Sequence, residues 1–205
     1  NNGISMYHPA QQQFEQQFLP GNNEATDKPL VLYDFIKKDD GSLWIGTNEG
    51  VYIKTADGRY LLKKFNYKDA SLSITRFFQD ADGSFYMGTN YTLFKYDPAS
   101  GTVSPLPNTD KDQVMNKLIE SRIVSIVKDS LDGHPVLLTA PYGHFFAYYD
   151  FSEQRWISRR DSVKRILTRY HINDNLIRKI VKTKDDRLWL ATAKNGLILL
   201  HKNTS

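Results

Sequence analysis

Asp40-Gly41-Ser42-Leu43-Trp44-Ile45-Gly46-Thr47 returns 42 residues later as Asp82-Gly83-Ser84-Phe85-Tyr86-Met87-Gly88-Thr89. Two more degenerate copies follow, Asp132-Gly133-His134-Pro135-Val136-Leu137-Leu138-Thr139 and Asp185-Asp186-Arg187-Leu188-Trp189-Leu190-Ala191-Thr192. A period of this length marks a repeat architecture, in which each copy is one supersecondary unit that buries its apolar faces against its neighbours. An apolar run stands just before each copy: Val31 to Ile36, Ile74 to Phe78, Ile123 to Val127 and Ile177 to Val181. These read as strands leading into a tight two-residue hairpin, with Asp-Gly supplying the positive backbone angles. After each Thr a second turn leads into another strand: Gly50-Val51-Tyr52-Ile53, Leu93-Phe94-Lys95-Tyr96, Phe145-Phe146-Ala147-Tyr148-Tyr149 and Gly196-Leu197-Ile198-Leu199-Leu200. A weaker fourth strand, such as Tyr60-Leu61-Leu62 or Arg155-Trp156-Ile157, completes the unit. Four antiparallel strands every 42 to 53 residues predict an all-β chain of β-propeller blades, about four in number.

The residue types suit that geometry. A blade sandwiched between neighbours buries both faces of its inner strands, so alternation is lost, as in Leu43-Trp44-Ile45. Trp44, Tyr86 and Trp189 are then expected to fill the space between blades, and Gly46 and Gly88 to mark close approach of backbone or a neighbouring blade. The predicted blades span 30–65, 73–107, 121–158 and 176–205, the last incomplete, with 1–20 as the end of a preceding blade; together 1–205 form one propeller segment. Asn2-Gly3-Ile4-Ser5-Met6-Tyr7 matches Asn195-Gly196-Leu197-Ile198-Leu199-Leu200, so a ring closed by these ends would hold one strand twice. A segment of a larger ring is therefore expected over a closed four-bladed one.

Composition narrows the classes. With 40% hydrophobic residues in 205, the chain can bury a sizeable core. No apolar run reaches the roughly 18 residues that span a bilayer, and Asn1 to Pro9 lacks the regions of a secretory signal. The chain is expected to be soluble, with any export signal removed or left out. Zero cysteines exclude a disulfide scaffold and a thiolate zinc site and fit either redox compartment. The net charge of +4, from 27 basic and 23 acidic residues mostly interspersed, describes a solvated surface and no nucleic-acid footprint.

At the repeat motif the chain resembles the propeller repeats of the periplasmic sensor regions of bacterial hybrid two-component histidine kinases. Those repeats look like an apolar strand, Asp-x-x-Gly, Leu-Trp-Ile-Gly-Thr, x-x-Gly-Leu and a strand ending in Tyr-Asp. Asp39 to Tyr52 matches closely, and Ile74 to Asp97 matches with Tyr86-Met87 for Trp-Ile and Thr92 for the later Gly. The third unit lacks the Trp and the Gly, and the fourth both glycines of the motif. The resemblance implies a periplasmic domain that senses a nutrient, typically a glycan fragment, and signals through the membrane to a kinase. Its partners would be an oligosaccharide, the remainder of the sensor propeller and its signalling domains, with a homodimer as a further arrangement. The segment itself carries no kinase motif and is expected to be non-catalytic; a protein-binding propeller and a propeller hydrolase or lyase stand as alternatives.

In a propeller, the turns between second and third strands and the connections between blades share one face, where ligands usually bind. The first set supplies Asn48, Glu49, Asn90, Tyr91, Tyr142 and His144; the second supplies Tyr67, Arg76, Arg122, Tyr170, His171, Asn173 and Arg178. Aromatic faces beside amide or guanidinium donors suit a sugar, which offers C–H patches and hydroxyls together. Tyr91, Arg122, Tyr142, His144, Tyr170, His171, Arg76 and Arg178 are the candidate ligand residues. Arg76, Arg122 and Arg178 stand near the start of each innermost strand, where they either converge on the channel as a basic ring or lie solvated or paired with carboxylates.

His8, His134, His144, His171 and His201 show no metal-ligand spacing, and no cofactor or metal is expected. Asp80-Ala81-Asp82-Gly83 resembles the opening of a calcium loop, but Tyr91 stands where the bidentate acid belongs, so a hairpin turn explains it better. No catalytic motif is present. Asp112 to Glu120 and Ser162 to Tyr170 carry helical apolar spacing and are expected as short helices over the ring. The basic cluster Arg155, Arg159, Arg160, Lys164, Arg165 and Arg169 then falls on or near the solvated side of the second helix.

Overall fold

The computed structural model describes residues 3–8, 13–20, 29–109, 113–131, 133–144, 146–157 and 176–200. The chain divides into two compact units, Asn1–Ile74 and Thr75–Ser205. In the first, β1 (Gly3–His8) pairs with β2 (Gln13–Phe18), and β3 (Leu32–Lys37), β4 (Leu43–Thr47), β5 (Gly50–Lys54) and β6 (Tyr60–Lys63) form a four-stranded meander. A short hairpin follows, β7 (Asn66–Tyr67) with β8 (Ala70–Ser71).

The unit boundary falls at the first residue of β9 (Ile74–Gln79). That strand continues as a meander with β10 (Phe85–Thr89), β11 (Leu93–Asp97) and β12 (Thr102–Pro105). Helix α1 (Gln113–Ile119) leads to β13 (Ile123–Leu131), β14 (His134–Pro141), β15 (Ala147–Asp150) and β16 (Arg155–Ile157). A last sheet holds β17 (Ile177–Lys182), β18 (Leu188–Thr192) and β19 (Leu197–Leu200). These antiparallel meanders are the blades of a β-propeller fold. Every apolar run before a motif copy is a first strand, and β13 extends four residues beyond the run Ile123 to Val127. The second predicted helix, Ser162 to Tyr170, lies outside the described residues.

The hairpin between first and second strands differs from expectation. Lys38 N–H donates to Ser42 C=O at 2.8 Å, and Gly41 N–H donates to Lys38 C=O at 3.0 Å, which closes a three-residue loop. Gly41 alone takes the left-handed angle there, φ 82°. This is a turn followed by a left-handed bulge residue, the usual solution for three-residue loops. Asp80 to Ser84 repeats it with Gly83, and Thr183 to Arg187 repeats it with Asp186 at φ 62° in place of glycine. In the third blade Leu131 pairs opposite His134.

The motif threonine closes the other end of the hairpin. Thr47, Thr89, Thr139 and Thr192 donate their hydroxyls to the carbonyls of Gly50, Thr92, Ala147 and Gly196 at 2.9–3.1 Å. In three of the four the same oxygen accepts a backbone N–H of the turn, from Glu49, Tyr91 and Asn195. A buried hydroxyl must be paired, and here it fixes the turn between the second and third strands of the blade.

Aspartates in the hairpin turns are held ionised. Ser42 hydroxyl and N–H bind Asp40, Ser84 N–H binds Asp82, Thr55 hydroxyl and Arg59 bind Asp57, and Arg187 and Thr183 bind Asp185; each bond lowers the carboxyl below its ordinary value. A carboxyl with a folded pKa below its unfolded one stabilises above the unfolded value, about 4, and that stabilisation is lost as pH falls through the folded value. The melting temperature should therefore be steady above about pH 5 and drop below about pH 4. Thermal melts between about pH 2 and 7 check this, and a flat profile down to pH 2 would contradict it.

Burial follows the blades. All five residues of β10 are buried, whereas in β4 only the last three are. Leu19, Leu30, Ile45 and Tyr52 form the core of the first unit. In the second unit, Tyr86 of one blade joins Ile123, Leu137, Tyr149 and Trp156 of the next. Leu138 and Phe146 join Ile180, Leu190 and Ile198 in the same way. The expectation for the tryptophans is corrected here: Trp44 and Trp189 are half-buried, and the tryptophan enclosed between blades is Trp156, 1% exposed. The motif glycines fulfil their reading. A Cβ on Gly46 would stand 2.5 Å from the Ile74 carbonyl oxygen, and one on Gly88 would stand 3.0 Å from the Cβ of Ile123.

Candidate functional site

The Ile123–Pro141 pairing sets Arg122 opposite Tyr142, at the end of the third blade. Tyr142 N–H donates to Arg122 C=O at 2.7 Å, and the Arg122 guanidinium lies 4.5 Å from the centroid of the Tyr142 ring. Backbone and side chain thus join the same two residues, with a cation resting on an aromatic face. Tyr142 keeps 44% of its surface exposed. The turn beyond it is closed by His144 N–H to Pro141 C=O, 3.0 Å, with Gly143 at φ 79°, an angle that glycine takes without strain. Burial pushes the His144 imidazole pKa down, so the ring is neutral at pH 7 and offers one donor and one acceptor.

Tyr91 stands on the equivalent turn of the preceding blade, half-buried, its N–H on the Thr89 hydroxyl at 3.0 Å. The close approach of Gly88 to Ile123 brings the ends of these two blades together, so the Thr89–Thr92 turn and Arg122 share one end of the second unit. Helix α1 feeds this end from outside. Its Leu118 and Ile119 enter the core with Tyr149 and Trp156, and Asn116 accepts a hydrogen bond from the Asn108 amide, whose oxygen accepts from Trp156 N–H. The helix is thus anchored against the outer strand β16, and Arg122 lies three residues beyond its end.

The three arginines do different things. Arg76 reaches the carbonyls of Val124 and Thr75 and ties β9 to β13; Arg122 lies on Tyr142; Arg178 is exposed. The strand register turns Arg76 toward a neighbouring backbone. In the first unit, Asn48 uses its side chain to bind Val31 N–H and Pro29 C=O, and the Lys68 ammonium stands 5.3 Å from the Tyr67 ring. Tyr170, His171 and Asn173 lie outside the described residues, as does the basic cluster apart from Arg155, which pairs with Glu153.

Among the described residues no group of three His, Cys, Asp or Glu is placed to hold a metal ion. Asp80, in the segment resembling a calcium loop, has both oxygens 2.7 Å from Lys128 Nζ. Among the described residues no helix is long and apolar enough to cross a membrane.

No family model and no curated protein matches the chain. Solved structures do. The extracellular domain of the hybrid two component system BT4673 from B. thetaiotaomicron superposes with a TM-score of 0.67 at 18% identity, over 100% of this chain and 25% of that one. The extracellular domain of the hybrid two component system BT3049 from the same organism gives 0.66 at 19%, over 100% and 25%. PorZ of Porphyromonas gingivalis, a surface component of the type-IX secretion system, gives 0.66 at 18%, over 97% and 29%. The likeness establishes the fold, propeller blades of the kind found in extracellular domains of hybrid two-component systems. This chain spans about a quarter of the length of those structures.

Proposed function

We propose that the chain is a non-catalytic part of an extracellular or periplasmic sensor propeller, which binds an oligosaccharide and passes the signal to a histidine kinase across the membrane. The observation that carries the reading is the Arg122–Tyr142 pair, an exposed aromatic ring stacked with a guanidinium at the blade end where propellers bind ligands. Such a pair offers one apolar face and charged donors, which suits a sugar ring bearing hydroxyl or acidic groups. His144 beside it adds a neutral donor and acceptor, and Tyr91 a second ring on the neighbouring blade. The carboxylates support a non-catalytic role: Asp40, Asp57, Asp82 and Asp185 are consumed in turns, and Asp80 and Asp129 bind Lys128 and Lys182.

Arg122→Ala and Tyr142→Ala should each weaken oligosaccharide binding by about tenfold, or ~1.4 kcal/mol, while leaving the melting temperature almost unchanged. Calorimetry of the intact sensor domain against neutral and acidic oligosaccharides, with both variants alongside, checks this. Unchanged affinity in both variants would move the site elsewhere. A protein-binding propeller is the second reading, favoured by the likeness to PorZ, a secretion-system component; absence of binding to every glycan would support it.

A further inference from the structure

The described charges of the second unit are sorted by the two ends of its blades. Every described aspartate of the unit lies at the end that holds the hairpins between first and second and between third and fourth strands. Cations from that same end meet these acids: Lys128 Nζ lies 2.7 Å from Asp80, Lys182 Nζ lies 2.9 Å from Asp129 and 2.7 Å from Asp186, and Arg187 pairs with Asp185. Much of the charge there is balanced locally.

The opposite end is basic. Its turns between second and third strands, 89–92, 141–146 and 192–196, contain no acidic residue, and Lys194 stands exposed on the last of them. Arg122 immediately precedes β13, and the exposed Arg178 is the second residue of β17. Among the described residues of the unit, Glu120 is the one carboxylate at this end. The two connections that leave and rejoin the sheets here do not offset the excess, since in sequence 106–122 is balanced in charge and 158–176 is net basic. One sign of charge gathered at one end favours a partner of the opposite sign.

Arg122 is the cation placed to read that partner. Stacking on Tyr142 engages the face of the guanidinium, whereas its five N–H groups lie in the plane, in the fork that matches two oxygens of a carboxylate or sulfate. The 2.7 Å bond from Tyr142 N–H to the Arg122 carbonyl ties the two backbones, so cation and ring are presented together. We infer that this end of the second unit selects an acidic oligosaccharide, with a uronate carboxylate or a sulfate ester on Arg122 and the sugar ring against Tyr142. The inference rests on the oligosaccharide reading and names the class of sugar within it. A neutral glycan would keep the ring contact and forgo the charge-assisted bonds, which are the stronger part.

The test is calorimetry of the full natural polypeptide with uronate-bearing and sulfated oligosaccharides, each beside a counterpart of the same skeleton made neutral by carboxyl reduction or desulfation. At least one acidic oligosaccharide should bind at least about tenfold more tightly than its neutral counterpart, and the difference should shrink as salt rises from about 0.05 to about 0.5 M. Loss of affinity on carboxyl reduction assigns a uronate, and loss on desulfation a sulfate ester. Arg122→Gln should bring the two members of a pair to within about twofold of each other, whereas Tyr142→Ala should weaken both. A neutral counterpart that binds as tightly as its acidic parent, or an acidic preference that survives Arg122→Gln unchanged, would overturn the inference and leave the oligosaccharide reading standing. Absence of binding to every glycan, acidic or neutral, would remove that reading and the inference with it.

Discussion

Trp156→Ala should destabilise the protein by roughly 3–5 kcal/mol in denaturant melts, as for other large buried aromatics. Trp156 is 1% exposed, meets Tyr149 edge-on at 5.3 Å and sits in the core beneath α1. Truncation leaves a cavity bounded by two blades and a helix, which cannot collapse from one side alone. Its indole N–H has no hydrogen-bond partner among the described residues, so Trp156→Phe removes a buried donor unpaired there as it loses volume and should cost much less than the alanine change. Trp44→Ala and Trp189→Ala remove half-buried rings and should each cost only about 1–2 kcal/mol. A larger loss for Trp44 than for Trp156 would show that the blade register is wrong.

Gly46→Ala should cost about 3 kcal/mol, the upper end for overpacking, although it adds one methyl group. That methyl would stand 2.5 Å from the carbonyl oxygen of Ile74, a backbone atom that cannot rotate away. Gly88→Ala meets the Ile123 and Arg76 side chains at 3.0–3.2 Å, which can shift a little, so its cost should be smaller. The contrast is read by comparing both variants in the same denaturant titration. Equal and negligible effects would mean that the spacing at Gly46 is not set by backbone contact.

The same contrast explains how much the sequence discloses. Strand positions are legible because each strand is a local run of apolar residues bounded by Asp-Gly or Thr, and both boundaries have local causes. Gly41 and Gly83 supply the bulge angle, and the threonine hydroxyls staple the next turn. The loop length escapes, since a three-residue loop and a two-residue one differ only in which residue accepts the closing bond. Which tryptophan is enclosed also escapes. Trp44 and Trp189 carry the recurrent motif and Trp156 does not, yet burial depends on the neighbouring blade, and Trp156 gains its cover from α1 and the Tyr86 blade.

The site divides along the same line. Arg122 and Tyr142 are legible as residues at one end of the blade, because strand ends and turns follow from strand positions. Their stacking follows from the pairing of Ile123 with Pro141, across 18 residues of sequence. Arg76 shows the limit: its place near the start of an inner strand is legible, but its side chain bonds to Val124, and only the register decides that.

Phosphotransfer by the full natural polypeptide in membrane vesicles tests the central claim most directly. With labelled ATP on the kinase side, adding an oligosaccharide that binds the propeller should change phosphate incorporation on a histidine, and Arg122→Ala should shift that response to higher oligosaccharide concentration by about tenfold. A polypeptide that incorporates no phosphate, or incorporates it equally with and without every glycan that binds, would contradict the sensor account.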